Sequence, residues 1–175
     1  MKMARAFFLD RDGTINEDRG YVHAIEQFVF LPGAVEAIKM INRHGFLAVV
    51  VTNQSGIGRG YYSVKDMEYL HGHVSRRLAC YGARIDAWYW CPHHPADGCQ
   101  CRKPRPGLLL KAARELGIDL AGSCLAGDGI SDVEAALRAG CRAFYIGREN
   151  RLLPGEPAVR KFDSLPAAVQ SFLRW

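Results

Sequence analysis

Short apolar runs rich in β-branched and aromatic residues alternate along this chain with longer segments in which apolar residues recur every three or four positions. The short runs are typical of buried strands, and the longer segments are typical of amphipathic helices. The predicted strands cover residues 6–9, 47–51, 87–90, 124–126 and 143–146. The predicted helices cover residues 34–44, 64–81, 107–116 and 131–139, and a last one runs from residue 164 to residue 173.

Residues at the helix ends support these boundaries. Gly45, Gly117 and Gly140 each follow a helical pattern and suit the left-handed conformation that closes many helices. Ser63 precedes the second predicted helix, with Asp66 three positions later, a spacing that resembles a capping box.

Strands separated by helices predict right-handed crossovers, and therefore a parallel sheet with helices on both faces. The chain shows no internal repeat or low-complexity segment, which predicts a single α/β domain over residues 1–175. Residues 145–157 are rich in Gly, Arg, Asn and Pro, and we expect a loop there. Three cysteines, Cys80, Cys124 and Cys141, fall within helical or strand patterns and are expected in the core.

The composition fits one soluble globular domain, with 49% hydrophobic and 23% charged residues. The formal charge of +5 suits an anionic partner, and it suits plain solubility equally well. Because the basic residues are scattered, we expect no nucleic-acid partner. The N-terminal apolar run is too short for a signal peptide, and no stretch approaches the ~20 apolar residues of a membrane span. We therefore expect a cytoplasmic protein with no membrane partner.

Three predicted strands lead directly into polar residues that can carry chemistry. The first is followed by Asp10, the second by Thr52 and the fourth by Gly127 and Asp128. In open parallel sheets, ligands bind outside the carboxyl ends of the strands. We therefore expect these residues to converge at one edge of the sheet.

The segment Asp10-Arg11-Asp12-Gly13 places two carboxylates two positions apart. Side chains of an extended chain alternate, so both carboxylates can point to the same side. One can attack phosphorus while the other handles the proton of the leaving group. Gly13 permits a sharp chain reversal directly after them. Taken alone, these residues are only suggestive of catalysis, and an ordinary acidic turn after a strand is the simpler interpretation.

The other strand ends supply groups that would support phosphoryl chemistry. Thr52 and nearby backbone N–H groups can hold phosphate oxygens, although an ST-turn is the simpler interpretation of that stretch alone. Lys103 can neutralise the nucleophile and the phosphoryl oxygens, or it can be a surface charge. Asp128 can bind Mg²⁺ through oxygen, whereas Asp132 is also compatible with a first-turn acid of the next helix. The four parts together predict a magnesium-dependent site for phosphoryl transfer.

Three cysteines and two histidines crowd into residues 91–101. This density is typical of metal binding in a reducing compartment rather than of disulfides. Four of these residues match a structural Cys₃His zinc site: Cys91, His93, Cys99 and Cys101. Spacing alone allows His94 in place of His93, and the alternative without metal is free cysteines beside exposed histidines. A zinc ion here would brace the segment that presents Arg102 and Lys103.

These motifs resemble those of the haloacid dehalogenase (HAD) superfamily: Asp10-x-Asp12, Thr52, Lys103 and Gly127-Asp128-x-x-x-Asp132. The resemblance implies a three-layer Rossmann-like core. It implies that Asp10 is the nucleophile and Asp12 the general acid and base, and that Asp10, Asp128 and the backbone oxygen of Asp12 bind Mg²⁺. It further implies that Thr52 and Lys103 stabilise the phosphoryl group.

Within this superfamily, the cysteine and histidine loop is similar to that of small bacterial phosphatases that act on sugar bisphosphates, and to that of histidinol-phosphate phosphatases. The implied substrate-binding residues are Asp18, Arg19, Gly20, Tyr21, Asn53, Gln54, Ser55 and Arg102. Arg102 or Arg59 would suit a second phosphate and would repel the cationic groups of histidinol phosphate, which favours the sugar bisphosphate. Gly129 stands where some members have a substrate-contacting lysine, so the exact sugar and its anomer stay open.

The motifs leave no room for a large cap domain, so residues 16–31 and the zinc loop must restrict access to the site. We expect a monomer that acts on a small sugar phosphate. The alternative from a different class is a non-enzymatic binding module stabilised by zinc, which rests only on the zinc cluster and the positive charge.

Overall fold

The structure is a computed structural model, and it describes residues 3–147 and 158–174. The strands are β1 (Ala6–Leu9), β2 (Leu47–Asn53), β3 (Ala87–Cys91), β4 (Cys124–Gly127), β5 (Arg142–Ile146) and β6 (Val159–Phe162). The helices are α1 (Ala34–Arg43), α2 (Ser55–Gly58), α3 (Val64–Cys80), α4 (Gly107–Leu116), α5 (Ile130–Ala139) and α6 (Leu165–Leu173). Two short 3₁₀ helices cover Ile25–Gln27 and Pro95–Asp97.

The six strands form one parallel sheet in the order β3-β2-β1-β4-β5-β6. The central strand β1 pairs with β2 on one side and with β4 on the other, so that Leu9 is in register with Val50 and Ala126. The backbone N–H of Asp10 still donates to Ala126 O at 2.9 Å. The first residue beyond β1 is therefore held against the end of β4.

Helices cover both faces of the sheet, and the alternation of β1 shows which helices lie on each face. Phe7 and Leu9 pack in one apolar layer with α1, α3 and α6, while Ala6 and Phe8 pack in the other with α4 and α5. Because both faces are covered, the central strands are apolar at nearly every position. The predicted three-layer α/β architecture is confirmed.

The end of β2 differs from the prediction. Thr52 and Asn53 belong to the strand, because they are in register with Trp90 and Cys91 of β3. The prediction that Thr52 follows the strand was therefore wrong by two residues. The same pairing extends β3 to Cys91, so the first cysteine of the metal cluster is fixed in the sheet.

The sequence analysis missed β6, in which exposed Arg160 and Lys161 interrupt the apolar pattern at the edge of the sheet. Of the loop predicted over residues 145–157, Tyr145 and Ile146 belong to β5, and residues 148–157 lie outside the described residues. Helix boundaries differ by one residue at the ends of α1 and α3 and at the start of α5, and α6 begins one residue after its N-cap.

Side-chain predictions in the core were partly right. Cys124 and Cys141 are buried, but Cys80 is exposed because it lies on the outer side of the last turn of α3. The predicted capping box of α3 is present, since the Ser63 hydroxyl accepts from Asp66 N and Asp66 Oδ2 accepts from Ser63 N.

The segments between β1 and α1 and between β3 and α4 lie at the carboxyl edge of the sheet, and they contain short 3₁₀ helices and, in the first segment, isolated β-bridges. In the described ranges, neither segment forms a cap domain, as predicted. Over the same residues, the structure contains no helix long and apolar enough to cross a bilayer.

Candidate active site

A cavity of about 340 Å³ opens at the carboxyl edge of the sheet. Its wall includes residues from all four predicted motifs: Asp10, Asp12, Thr52, Lys103, Asp128 and Asp132. The parallel sheet explains this convergence, because the ends of β1, β2 and β4 all lie at the same edge.

Lys103 is buried at the floor of this cavity and is the cation of the site. Its Nζ lies 2.8 Å from Asp10 Oδ1 and 2.6 Å from Asp132 Oδ1, and it donates to Val51 O at 2.8 Å. Burial alone would lower the pKa of Lys103, but the charges of Asp10 and Asp132 raise it above its usual range. The lysine therefore stays charged, with all three of its N–H groups engaged.

Three carboxylates crowd against this lysine. Oxygens of Asp10, Asp128 and Asp132 lie within 4.8 Å of one another. Burial, followed by the charge of Asp132, raises the pKa of Asp10 to about 6, although Lys103 opposes the shift. Burial, followed by the charge of Asp10, likewise raises the pKa of Asp128 to about 6. Hard oxygen donors that repel one another in a buried site suit a divalent cation such as Mg²⁺.

Asp132 was not among the predicted metal ligands, but in the structure its side chain lies in the site beside Lys103. Its Oδ2 also accepts from the backbone N–H of Gly129 at 3.0 Å. Gly127 makes room for it, because a Cβ at Gly127 would lie 2.3 Å from Asp132 Cγ. The signal available in the sequence was the four-residue spacing between Asp128, which precedes α5, and Asp132 in the first turn of that helix.

The carboxylate of Asp12 is not part of this group of three and is held by nitrogen donors. Arg11 Nη2 donates to both of its oxygens at 2.9 Å, and Asn16 Nδ2 donates to Oδ1 at 2.9 Å. Gln54 Nε2 donates to Oδ2 at 3.0 Å. The two aspartates of the first motif are thus in different environments, Asp10 beside Lys103 and Asp12 beside Arg11.

Tyr62 fixes the side chain of Gln54, and the sequence analysis did not identify it. Its hydroxyl donates to Gln54 Oε1 at 2.7 Å, so the amide nitrogen must point toward Asp12 and toward Thr52 Oγ1, which accepts at 2.9 Å. Burial raises the pKa of Tyr62 to about 12, which keeps the hydroxyl protonated. In the sequence, Tyr62 looks like an ordinary apolar residue before the N-cap Ser63 of α3, so nothing there indicated a role in the site.

Two further unpredicted residues lie behind Asp12. Arg11 is fully buried, and its Nη1 lies 3.3 Å from His71 Nε2 on α3. The imidazole stacks on Trp88, with ring centroids 4.2 Å apart. Burial, and then the charge of Arg11, lower the pKa of His71 to about 3, so this histidine is neutral.

The predicted substrate-binding residues divide into two groups. Six of them line the cavity: Asp18, Gly20, Tyr21, Asn53, Gln54 and Ser55. The other two do not. Arg19 pairs with Glu17 at 2.6 Å on the surface, and Arg102 lines a neighbouring cavity of about 310 Å³ together with Lys103. Arg59 is exposed.

The second metal cluster combines Cys91, His93, Cys99 and Cys101. Adjacent sulfurs lie 3.5 to 3.6 Å apart, and His93 Nδ1 lies 3.2 Å from Cys101 Sγ and 3.5 Å from Cys91 Sγ. Four ligands about 2.0–2.3 Å from a tetrahedral Zn²⁺ would be separated by roughly 3.5–3.8 Å. A disulfide would need a sulfur separation of about 2 Å. The distances therefore fit zinc ligands.

His94 lies outside this set. Its Nδ1 accepts from the backbone N–H of Ala96 at 3.1 Å and caps the 3₁₀ helix between the two ligand pairs. At Cys99, burial raises the thiol pKa, but hydrogen bonds from Cys91, Arg102 N and Cys101 outweigh it and lower the value to about 7. Burial instead raises the pKa of the Cys91 thiol and of the Cys101 thiol. A bound cation would favour the thiolate form of all three cysteines.

The zinc-type cluster is joined to the lysine segment by several contacts. Asn53 exchanges two hydrogen bonds with the backbone of Lys103, at 3.0 and 3.1 Å. Arg105 Nη1 donates to the carbonyl oxygens of Gly98 and Cys99. The segment between β3 and α4, which carries both the thiols and Lys103, is therefore held to β2 and folded on itself as one unit.

Comparison with known proteins agrees with this geometry. The model of the HAD-hydrolase-like family matches residues 100–152. A parallel sheet that presents an aspartate, a threonine, a lysine and a second aspartate at its carboxyl edge is the arrangement of HAD hydrolases, and the protein is a phosphoric monoester hydrolase of that class.

Its relatives define the family more closely. The D-glycero-β-D-manno-heptose-1,7-bisphosphate 7-phosphatase of Escherichia coli K12 is 46% identical over 97% of this chain and 95% of its own. The enzyme of the same name from Pasteurella multocida is 47% identical over 76% of each chain. The crystal structure of the D,D-heptose 1,7-bisphosphate phosphatase of B. bronchiseptica, complexed with magnesium and phosphate, is 35% identical with a TM-score of 0.90 and covers 97% of this chain and 98% of its own. The chain belongs to the heptose-1,7-bisphosphate 7-phosphatase family.

Removal of one thiol tests the second metal cluster. We expect Cys99→Ala to lower both the zinc content of the purified protein and its free energy of unfolding, because three ligands remain for a tetrahedral ion. The measurements are metal analysis and urea unfolding, with Cys80→Ala as the matched control outside the cluster. Normal turnover at full stability in Cys99→Ala would contradict the idea that zinc braces the Lys103 segment.

The buried histidine makes stability depend on pH. The pKa of His71 is about 3 in the folded protein, below its ordinary value of 6.5. As the pH falls, the unfolded chain therefore binds the proton first, and the free energy of unfolding decreases from about pH 6.5 toward pH 3. Between pH 7 and pH 5 we expect the native protein to lose about 2 kcal/mol more than His71→Gln does. Urea unfolding at both pH values measures this difference, and equal losses in the two proteins would rule it out.

Proposed function

We propose that this chain removes the 7-phosphate of D-glycero-β-D-manno-heptose 1,7-bisphosphate by way of an aspartyl-phosphate intermediate on Asp10. The observation that carries the proposal is the Asp10 carboxylate held 2.8 Å from a buried lysine and beside Asp128, in a cavity at the sheet edge. The names of the relatives supply the substrate and its β anomer.

In the first step, an oxygen of Asp10 attacks phosphorus, and the bond from phosphorus to the oxygen on carbon 7 breaks. Lys103 lies against Asp10 and balances its negative charge, which would otherwise repel the phosphate. We assign the proton that the departing oxygen needs to Asp12. Thr52 can donate its hydroxyl hydrogen to a phosphoryl oxygen, because its own oxygen already accepts from Gln54.

In the second step, water attacks phosphorus and the bond between phosphorus and Asp10 breaks. Asp12 takes a proton from this water, which restores the acid for the next cycle. Inorganic phosphate leaves, and Asp10 is again a carboxylate. The net reaction is hydrolysis of one phosphate monoester, so no further reactant is needed.

The carboxylates of Asp10 and Asp128 would hold Mg²⁺, together with the backbone oxygen of Asp12. When bound, Mg²⁺ supplies positive charge that offsets the mutual repulsion of carboxylates and phosphate. The carboxylate of Asp12 is directed to Arg11 and is therefore free of this role. We assign Zn²⁺ a structural role at Cys91, His93, Cys99 and Cys101, since four protein ligands leave no open position.

A bisphosphate substrate carries a second anionic group away from the reacting centre. Arg102 lines not the active-site cavity but the neighbouring one, which Lys103 also borders, and its Nη1 is buried with no hydrogen-bond partner in residues 3–147 and 158–174. This nitrogen is suited to a phosphate oxygen, and it supports a bisphosphate over a cationic substrate. The six cavity-lining residues predicted to bind substrate would contact the sugar.

We further propose that residues 1–175 act as one domain and as a monomer in the cytoplasm. The product would then enter the synthesis of heptose for lipopolysaccharide. Neither nucleic acid nor membrane is needed for the reaction that the site supports.

Substitution of the nucleophile tests the mechanism. Asp10→Asn removes the attacking charge with almost no change in volume, so turnover should be abolished while the fold and the zinc content persist. Phosphate release in the presence of Mg²⁺ measures the loss, and circular dichroism with metal analysis checks the fold. Appreciable turnover in Asp10→Asn would exclude an aspartyl-phosphate at this residue.

The same assay identifies the substrate when it is run with the α and β anomers of the heptose bisphosphate and with histidinol phosphate. We expect the highest kcat/KM for the β anomer. A preference for histidinol phosphate would contradict the proposed substrate and would retain the phosphatase site. A zinc-stabilised binding module would release phosphate from none of the three.

A further inference from the structure

All five N–H groups of the Arg11 guanidinium have acceptors. Nε donates to Asp12 Oδ1 at 3.2 Å, and Nη2 donates to the Asp12 carboxylate at 2.9 Å and to Val22 O. Nη1 contacts Met67 Sδ at 2.9 Å and His71 Nε2 at 3.3 Å. Because the five donors share one rigid plane, the acceptors on the far side help to set the direction of the edge that faces Asp12.

The contact with Arg11 determines the tautomer of His71. A guanidinium nitrogen can only donate, so Nε2 must be the acceptor and Nδ1 must carry the hydrogen. Nδ1 is buried and has no hydrogen-bond partner in the described ranges, which leaves Nε2 as the functional atom of the ring. The ring is held between Trp88, on which it stacks, and Trp90, whose centroid is 5.5 Å away.

Met67 and His71 are four residues apart and therefore lie on the same face of α3. Helix α3 belongs to the layer that covers the sheet, and it provides both acceptors for Arg11 Nη1. A contact through Arg11 thus links this helix to the carboxylate of Asp12, although Asp12 itself lies in the loop after β1.

We propose that His71 is a positioning residue that acts through Arg11 to hold the Asp12 carboxylate in the direction needed for proton transfer. The inference rests on the proposed role of Asp12 and extends it to a residue 60 positions from Arg11 in sequence. Loss of the imidazole acceptor leaves one buried N–H of Arg11 unpaired, and the guanidinium then tilts to find another acceptor. Asp12 moves with it.

The effect of losing the His71 acceptor on the reaction rate should depend on the leaving group. A sugar alkoxide is a strong base and needs the proton from Asp12, whereas p-nitrophenolate is a weak base and leaves without one. The ratio kcat/KM covers the steps up to the first irreversible one, which is transfer of the phosphoryl group to Asp10. A change in Asp12 alone therefore alters this ratio for the sugar phosphate and leaves it nearly unchanged for p-nitrophenyl phosphate.

The experiment compares His71→Leu, which removes the acceptor, with His71→Gln, whose amide oxygen can replace it. We expect His71→Leu to lower kcat/KM for the heptose bisphosphate about tenfold and for p-nitrophenyl phosphate less than twofold. His71→Gln should recover most of the loss. His73→Leu is the matched control, because His73 is two residues along α3 and faces away from Arg11. Equal losses on both substrates, or equal losses in the Leu and Gln variants, would overturn the proposal.

Asp12→Asn separates failure of this inference from failure of the proposed function. It should reduce kcat/KM for the sugar phosphate far more than for the aryl phosphate. If it reduces both equally, the assignment of proton transfer to Asp12 is wrong. If it behaves as expected and His71→Leu does not, only the positioning role of His71 is wrong.

A measurement on the unsubstituted protein covers the case in which His71→Leu does not fold. Nitrogen-15 NMR of the histidine side chains reports which ring nitrogen carries the hydrogen. We expect His71 to be the Nδ1–H tautomer from pH 5 to pH 8. A hydrogen on Nε2 would remove the acceptor for Arg11 and with it the whole proposal.

Discussion

A buried lysine charge is the constraint around which this protein is arranged. Lys103 Nζ contacts Asp10 after β1, Val51 in β2 and Asp132 in α5, so it joins three separate parts of the chain at the sheet edge. An ammonium group out of water is costly unless it is paired and hydrogen-bonded, and here all three donors are used. The position of the lysine is therefore fixed by the same carboxylates that it neutralises.

Several contacts elsewhere in the structure hold the backbone of Lys103 in place. It is carried on an irregular segment rather than on a strand or helix, so its backbone needs external support. Asn53 provides one contact from β2, and Arg105 ties the following residues to the loop that holds the cysteines. In the proposed zinc-bound form, the cluster of thiols would brace this loop, which has few apolar side chains.

Features that depend on the order of strands were predictable from the sequence. Asp10, Thr52 and Asp128 were placed at one edge because strands that alternate with helices form a parallel sheet, whose carboxyl ends coincide. The three thiols of the second metal cluster were predictable from their spacing, whereas the choice between His93 and His94 required the folded structure. The end of β2 was misjudged, because only pairing with β3 decides whether Thr52 continues the ladder. Strand β6 was missed, since charged residues at a sheet edge resemble a loop.

Features that depend on side chains from distant segments were not predictable. His71 resembles any polar residue of an amphipathic helix until α3 is placed over Arg11, and Tyr62 resembles any apolar residue before a helix. Arg11 itself was treated as the unspecified residue between two aspartates. A cation at that position is buried only because Val22, Met67 and His71 surround it, and this environment exists only in the folded chain.

All five N–H groups of Arg11 have acceptors, and this has a consequence for how the sequence can change over evolutionary time. Lysine offers three donors from a single atom and cannot meet acceptors in five directions, so position 11 has no conservative replacement while its surroundings stay the same. A change at position 11, and a change at position 71 that removes the acceptor, are each unfavourable alone, and each alters the environment of the other. Divergence at these two sites should therefore proceed by paired substitutions, and descendants that abandon the arginine should abandon the histidine as well.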